Sequence, residues 1–300
     1  MVQNKVQPFF IYFKKMMKFY DLKARGVPQV LFVLLLAVSF GLVLLVRPLV
    51  LDYTIYVQQV YNAYMDILSS ENAEDPSLLL KKIMELQNSE TFSQLMSSSV
   101  KIIGFSLLQQ ILLKLLSYFY LGAYLCDLEY ERPSMSCYLR KFLKALPRFI
   151  GFNLFFYLGL VIVFIAVTFL FALITALVPV LYFAVNLVIF LIPVVWFIIQ
   201  VIFIFKDITF LDTGVSIWRN FRLSAGLSSG NRFTIAKNII FIVCLNLVIQ
   251  MFSFESQLVT LFIVSFLEVI ILLIKQRLIA LMYLSRTRRT GENTPAEVSN

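Results

Sequence analysis

Two ionisable side chains, Lys114 and Glu268, stand inside long apolar runs, where a charge is costly and by default marks function. Lys114 lies 13 residues from both Lys101 and Asp127, about 20 Å along a helix each way. That spacing sets it near the middle of a membrane. Glu268 follows Leu258 by ten residues, about 15 Å on the same arithmetic. An ion pair between the two would fix the registry of their helices. Otherwise the lysine snorkels and the glutamate points to the interface near Lys275. A transport or proton-relay role is a third reading.

Gln109, Gln110, Asn153, Asn186, Gln200, Asn246 and Gln250 are amides in apolar surroundings. They are expected to make interhelical hydrogen bonds of about 0.6 to 2 kcal/mol, or else to line a polar cavity. Pro193 interrupts an apolar stretch, as a simple kink or as part of a broken helix at a transport site.

Other chemistry is harder to assemble. The chain has no histidine, which removes the commonest general base and metal ligand and with it every Ser-His or Cys-His scheme. Cys126, Cys137 and Cys244 lack metal-ligand spacing and read as small apolar fillers. No Walker A loop is present. No enzyme activity, cofactor or nucleic-acid partner is expected.

The remaining candidates are basic: Lys14, Lys15 and Lys18 in one amphipathic segment, Arg140 and Lys141 in a second, Arg219 and Arg222 in a third. Such segments lie at a headgroup surface, and each base adds about 1 kcal/mol toward anionic lipid. A solvated topology signal would account for the same residues.

The elements that carry these residues follow from composition. The chain is 60% hydrophobic and 14% charged, with a mean hydropathy of +0.86. A soluble domain holds about 25% charged residues, so lipid must be the solvent here. No charge occurs over the 57 residues from Phe149 to Phe205, about 85 Å as helix. One crossing takes about 30 Å, so that stretch holds two helices, with a turn expected at Thr175 to Pro179. The predicted fold is an all-α, polytopic membrane helix bundle of six spans, at about 28–46, 102–126, 149–175, 179–205, 237–254 and 258–284. They form three hairpins, each preceded by a basic interfacial helix, in one membrane domain over residues 1–284.

Residues 52–99 carry seven acids and two amphipathic helical patterns, Tyr53 to Leu68 and Leu78 to Met96. These are expected outside the cytoplasm, as a helical cap or as helix extensions. The first span is not a signal peptide, since Arg47, Pro48 and Asp52 follow it rather than a small-residue cleavage site. The polar tail 285–300 is expected to be disordered.

Counting Lys and Arg by segment gives six in the first 29 residues and five each in 126–150, 206–237 and 275–300, which is 21 of the 26. The positive-inside rule puts these on the cytoplasmic side with both termini. A single bacterial plasma membrane is the expected location.

Ser136-Cys137-Tyr138-Leu139-Arg140-Lys141-Phe142 and Ser216-Ile217-Trp218-Arg219-Asn220-Phe221-Arg222 share a pattern of serine, apolar and aromatic residues, then bases around a Phe. This pattern points to three degenerate repeats. Asn220-Phe221-Arg222-Leu223-Ser224-Ala225-Gly226, followed by a hydrophobic hairpin, resembles the "SWRLTKG" element of the glycerophosphodiester phosphodiesterase membrane domain and of related families without assigned function. The likeness covers most of the chain as architecture and about seven residues as motif. Leu227 to Arg232 depart from the family by delaying the aromatic Phe233. The resemblance implies the six-helix plan but no phosphodiesterase activity, since that belongs to a separate histidine-containing barrel. The expected role is to organise or bind lipids, with anionic headgroups on the cytoplasmic side, or other membrane proteins. The alternative is a transporter or permease subunit for a small or lipid-like solute.

Overall fold

Helix follows helix wherever the computed structural model describes the chain, which is residues 5–24, 26–69, 76–177, 182–251 and 257–287; the side chains of 76, 172, 174–177, 182–191 and 250 are not described. The elements are α1 (Phe9–Met16), α2 (Val27–Ser69), α3 (Pro76–Gln87), α4 (Glu90–Glu129), α5 (Met135–Leu177), α6 (Tyr182–Ile202), α7 (Ile208–Asp212), α8 (Ile217–Ser228), α9 (Arg232–Met251) and α10 (Leu258–Thr287). Among the described residues there is no strand. Five helices, α2, α4, α5, α9 and α10, are long and apolar enough to cross a membrane, and α6 is apolar over Ile192–Ile202. The turn expected at Thr175–Pro179 does not begin at Thr175, since α5 runs to Leu177; residues 178 and 179, and 288–300 of the polar tail, lie outside the described residues.

The exposure of α5 supports the choice of solvent. Every residue from 161 to 170 is exposed, and these include Ile162, Phe164, Ile165 and Phe169. Monomeric soluble proteins rarely leave an apolar patch of that extent in water.

The junctions correct the sequence reading in three places. The first span and the Tyr53–Leu68 pattern form one 43-residue helix, α2, which runs through Pro48. Of the two forms expected there, a helical cap or a helix extension, this part is an extension. The Leu78–Met96 pattern is two helices, because Ser89 closes α3 and opens α4. Its hydroxyl donates to the Leu86 carbonyl at 2.7 Å and accepts the Phe92 N–H at 3.2 Å, the local bonding by which serine competes with a continuous helix. Finally, the second basic segment does not stand apart from its span. It is the start of α5, 43 residues long with Pro147 inside.

The first and third basic segments do stand apart, as α1 and α8. Gly26 (φ +82°) precedes α2 and Gly230 (φ +79°) separates α8 from α9. Both sit in the left-handed region that side chains disfavour. Between Met135 and Leu177 there is no such residue.

The chain divides into two compact units. Unit 1 is Met1–Val30, Ser117–Met251 and Ile270–Asn300; unit 2 is Leu31–Leu116 and Phe252–Val269. Unit 1 holds 21 bases and eight acids, unit 2 five bases and nine acids. Unit 1 buries Tyr118, Tyr120, Tyr138, Phe152, Phe205, Phe210 and Tyr283. Unit 2 is held partly by edge-to-face ring pairs, Phe32 with Phe266 at 5.4 Å and Phe40 with Phe262 at 5.3 Å. Each such pair adds about 0.5 to 1.5 kcal/mol beyond its buried area.

Candidate functional site: a basic cavity in unit 1

Three polar arrangements, buried or half-buried, fix the framework of unit 1. In the first, the chain between α1 and α2 is tied down by side chains from three helices. Arg277 of α10 donates from Nη1 to the carbonyls of Lys18 and, at 3.2 Å, Asp21, and its guanidinium lies 4.4 Å over the Tyr124 ring. The Tyr120 hydroxyl donates to the Phe19 carbonyl at 2.8 Å. Asp127 accepts the Lys23 N–H at 2.9 Å on Oδ2 and the Tyr138 hydroxyl on Oδ1. Asp127 and Arg277 are only 5% and 7% exposed, so these charges survive through hydrogen bonding and stacking.

The second arrangement joins α5 to the α6–α7 connection. Lys206 Nζ reaches Asn153 Oδ1 at 2.6 Å and Asp207 Oδ1 at 2.7 Å. The same ammonium sits 5.5 to 5.9 Å from the rings of Phe152, Phe156 and Tyr157.

The third is a small polar stripe on α8, Asn220, Ser224 and Ser228, all fully buried. The spacing of four puts them on one helix face. Asn220 Nδ2 donates to the Lys206 carbonyl at 2.8 Å, its Oδ1 accepts the Thr209 hydroxyl, and Ser228 donates to the Ile202 carbonyl at 2.7 Å. These bonds hold α8 against α7 and the end of α6. Arg286 then caps α8 through the carbonyls of Leu227 and Ser229 at 3.2 and 3.3 Å.

Beside this framework opens a cavity of about 630 Å³. Its walls are the α4–α5 turn, the first four turns of α5, and α7 with the residues after it. Five bases line it, Arg132, Arg140, Lys141, Lys144 and Arg148, against two acids, Glu129 and Asp212. These are the five bases that the sequence places in the 126–150 loop. Both acids are engaged: Glu129 pairs with Lys141, and Asp212 accepts the Tyr283 hydroxyl at 2.5 Å. Among the described residues Arg132, Arg140, Lys144 and Arg148 form no ion pair.

Arg148 is held in place from the other wall. Its Nη1 donates to the Gly214 carbonyl. Gly214 has φ +60°, and a Cβ there would stand 2.9 Å from that nitrogen. Only glycine suits both the turn and the approach. The cavity wall also holds Cys126 and Cys137, whose sulfurs are 3.1 Å apart.

The residues predicted from sequence are distributed differently. Arg140 and Lys141 line the cavity. Lys14, Lys15 and Lys18 on and after α1 are exposed, as are Arg219 and Arg222 on α8. Lys114 and Glu268 are both half-buried in unit 2, but Glu268 forms no ion pair among the described residues. The Lys114–Glu268 pair is therefore not formed. Gln109 makes the expected interhelical bond, to the Ser39 carbonyl of α2 at 3.1 Å. Gln110 is exposed, Gln200 and Asn246 are half-buried, and the side chains of Asn186 and Gln250 lie outside the described residues.

The repeat diverges in three dimensions. Tyr138 is fully buried, whereas its counterpart Trp218 is 76% exposed. Among the described residues no three or more Cys, Asp or Glu side chains gather as a metal would need. Comparison of the chain with protein-family models, curated proteins and solved structures found no match.

Asp127, Arg277, Lys206 and the Asn220 stripe escaped the sequence reading. The spacing of 220, 224 and 228 was a usable signal for the stripe, being one face of a helix in small polar residues.

Proposed function

We propose that this chain is a six-pass protein of a bacterial plasma membrane, both termini cytoplasmic, which has no catalytic activity and organises or binds lipids or other membrane proteins. The observation that carries this reading is the cavity wall of five bases, four of them without an ion-pair partner among the described residues. Those five are among the 21 of the 26 bases that the positive-inside rule puts on one side of the membrane, where anionic headgroups are within reach. The six-pass count takes α6 as the fourth span, and the lipid-ready surface of α5 supplies the apolar half of the contact.

The Asn220–Gly226 element supports a relationship to the membrane domain of glycerophosphodiester phosphodiesterases, without their barrel. Asn220 and Ser224 are both fully buried, so such a motif would serve helix packing. The permease alternative rests on Lys114, Glu268, Pro193 and the amides. One of these, Gln109, already donates to a backbone carbonyl.

The test is lipid recovery. Protein extracted in mild detergent from a mixed membrane should carry anionic phospholipid enriched over zwitterionic phospholipid. Equal recovery of both would overturn the lipid reading. Reporter fusions after residues 75 and 225 should report opposite compartments; the same compartment would overturn the six-pass topology.

A further inference from the structure

Within the reading of the base-rich side as the side that meets anionic headgroups, and resting on it, we propose that the cavity seats a phosphate ester on Arg140, Lys144 and Arg148. The three bases lie at i, i+4 and i+8 of α5, one above the other on one face. Like charges at that spacing repel and destabilise a helix. Here two acids stand against five bases: Glu129 pairs with Lys141, which leaves Asp212 as the one further carboxylate in the wall and a net positive charge. A bound phosphate anion supplies counter-charge.

Arg148 gives the seat direction. Its anchor on the Gly214 carbonyl uses one of the five N–H donors of a planar guanidinium and fixes the plane of the others, the geometry suited to bidentate phosphate binding. The volume of about 630 Å³ falls within the range of about 300 to 1,000 Å³ typical of small-molecule sites. It is roomy enough for a phosphorylated headgroup rather than a bare ion alone.

The source of the phosphate is either a lipid headgroup or a soluble ester, and one experiment separates them. The full chain carrying Cys126→Ser and Cys244→Ser keeps Cys137, in the cavity wall, as its one thiol. Its rate of reaction with N-ethylmaleimide is measured in phosphatidylcholine nanodiscs with and without glycerol phosphate, and in phosphatidylglycerol nanodiscs. A ligand at ten times its Kd slows the reaction about tenfold. Slowing by glycerol phosphate in phosphatidylcholine identifies a soluble ester; slowing in phosphatidylglycerol alone identifies a headgroup.

Either protection must vanish in Arg140→Gln/Lys144→Gln/Arg148→Gln. Should that variant misfold, Lys144→Gln alone must weaken the protection, since Lys144 is exposed. No slowing by either phosphate, or slowing unchanged by these substitutions, overturns the proposal. If the protein still recovers anionic lipid preferentially, the broader lipid reading stands without this seat.

Discussion

Asp127 and Tyr138 share one buried hydrogen bond, phenol to carboxylate, between the end of α4 and the start of α5. The other carboxylate oxygen takes the Lys23 amide at 2.9 Å, so a single acid joins two helices to the chain that leads into α2. Asp127→Asn keeps the shape but turns one acceptor into a donor, leaving one partner unmet. The expected loss is about 1 to 3 kcal/mol, read as a lower apparent melting temperature in detergent. Tyr138→Phe should lose less in the Asp127→Asn background than in the native one. Additive losses would mean that the two residues are not coupled.

Arg277 serves the same stretch of chain from the other side. Arg277→Lys keeps the charge but lacks the planar fork that reaches two carbonyls and stacks on Tyr124. Arg277→Met, which removes every donor, should be the less stable of the two. Both should expose residues 18–24 to protease, with cleavage faster in the methionine variant. Native-rate cleavage in both would refute the anchoring role.

Cys126 and Cys137 have their sulfurs 3.1 Å apart, so a disulfide requires closing by about 1 Å. Copper–phenanthroline should join them within the chain and protect both from a maleimide-polyethylene glycol mass shift. Cys126→Ser should abolish that protection. Cys244, exposed on the apolar helix α9, should take the mass shift once the protein is unfolded in dodecyl sulfate, whether or not oxidant was added. Failure to oxidise would mean that the turn between α4 and α5 holds the two thiols apart.

The two tryptophans report on solvent. Trp218 on α8 is 76% exposed and Trp196 on α6 is 39% exposed. With Trp218→Phe, the remaining emission should be quenched by lipids brominated along the acyl chain. With Trp196→Phe, aqueous iodide should quench instead. The reverse pattern would place α8 rather than α6 within the hydrocarbon.

Much of the fold was legible because lipid leaves few choices. A run of apolar residues must be helical where no water satisfies its backbone, and the long helices fall where hydropathy peaks. Their joints were less legible. Pro48 and Pro147 look like breaks but sit inside α2 and α5. The breaks before α2 and between α8 and α9 carry Gly26 and Gly230 at positive φ, a conformation that side chains disfavour.

The cavity was half visible. Its five bases were already grouped in one loop by the charge count, but a count gives only sign and side. It could not tell that Asp127 and Arg277 turn inward while Arg140 and Lys144 stay open. Those orientations depend on hydrogen-bond partners supplied from more than a hundred residues away, the Lys23 N–H that donates to Asp127 and the Lys18 carbonyl that accepts from Arg277.

The continuous course of α5, through Pro147, gives the molecule a single helical spoke of about 65 Å. Its hilt is the column of Arg140, Lys144 and Arg148, and its blade is the bare apolar length beyond Phe156. Pivoting at the hilt by one degree sweeps the blade by about 0.5 Å at a reach of about 30 Å. Whatever grips the guanidinium of Arg148 therefore also sets the tilt at which the far turns stand among the acyl chains.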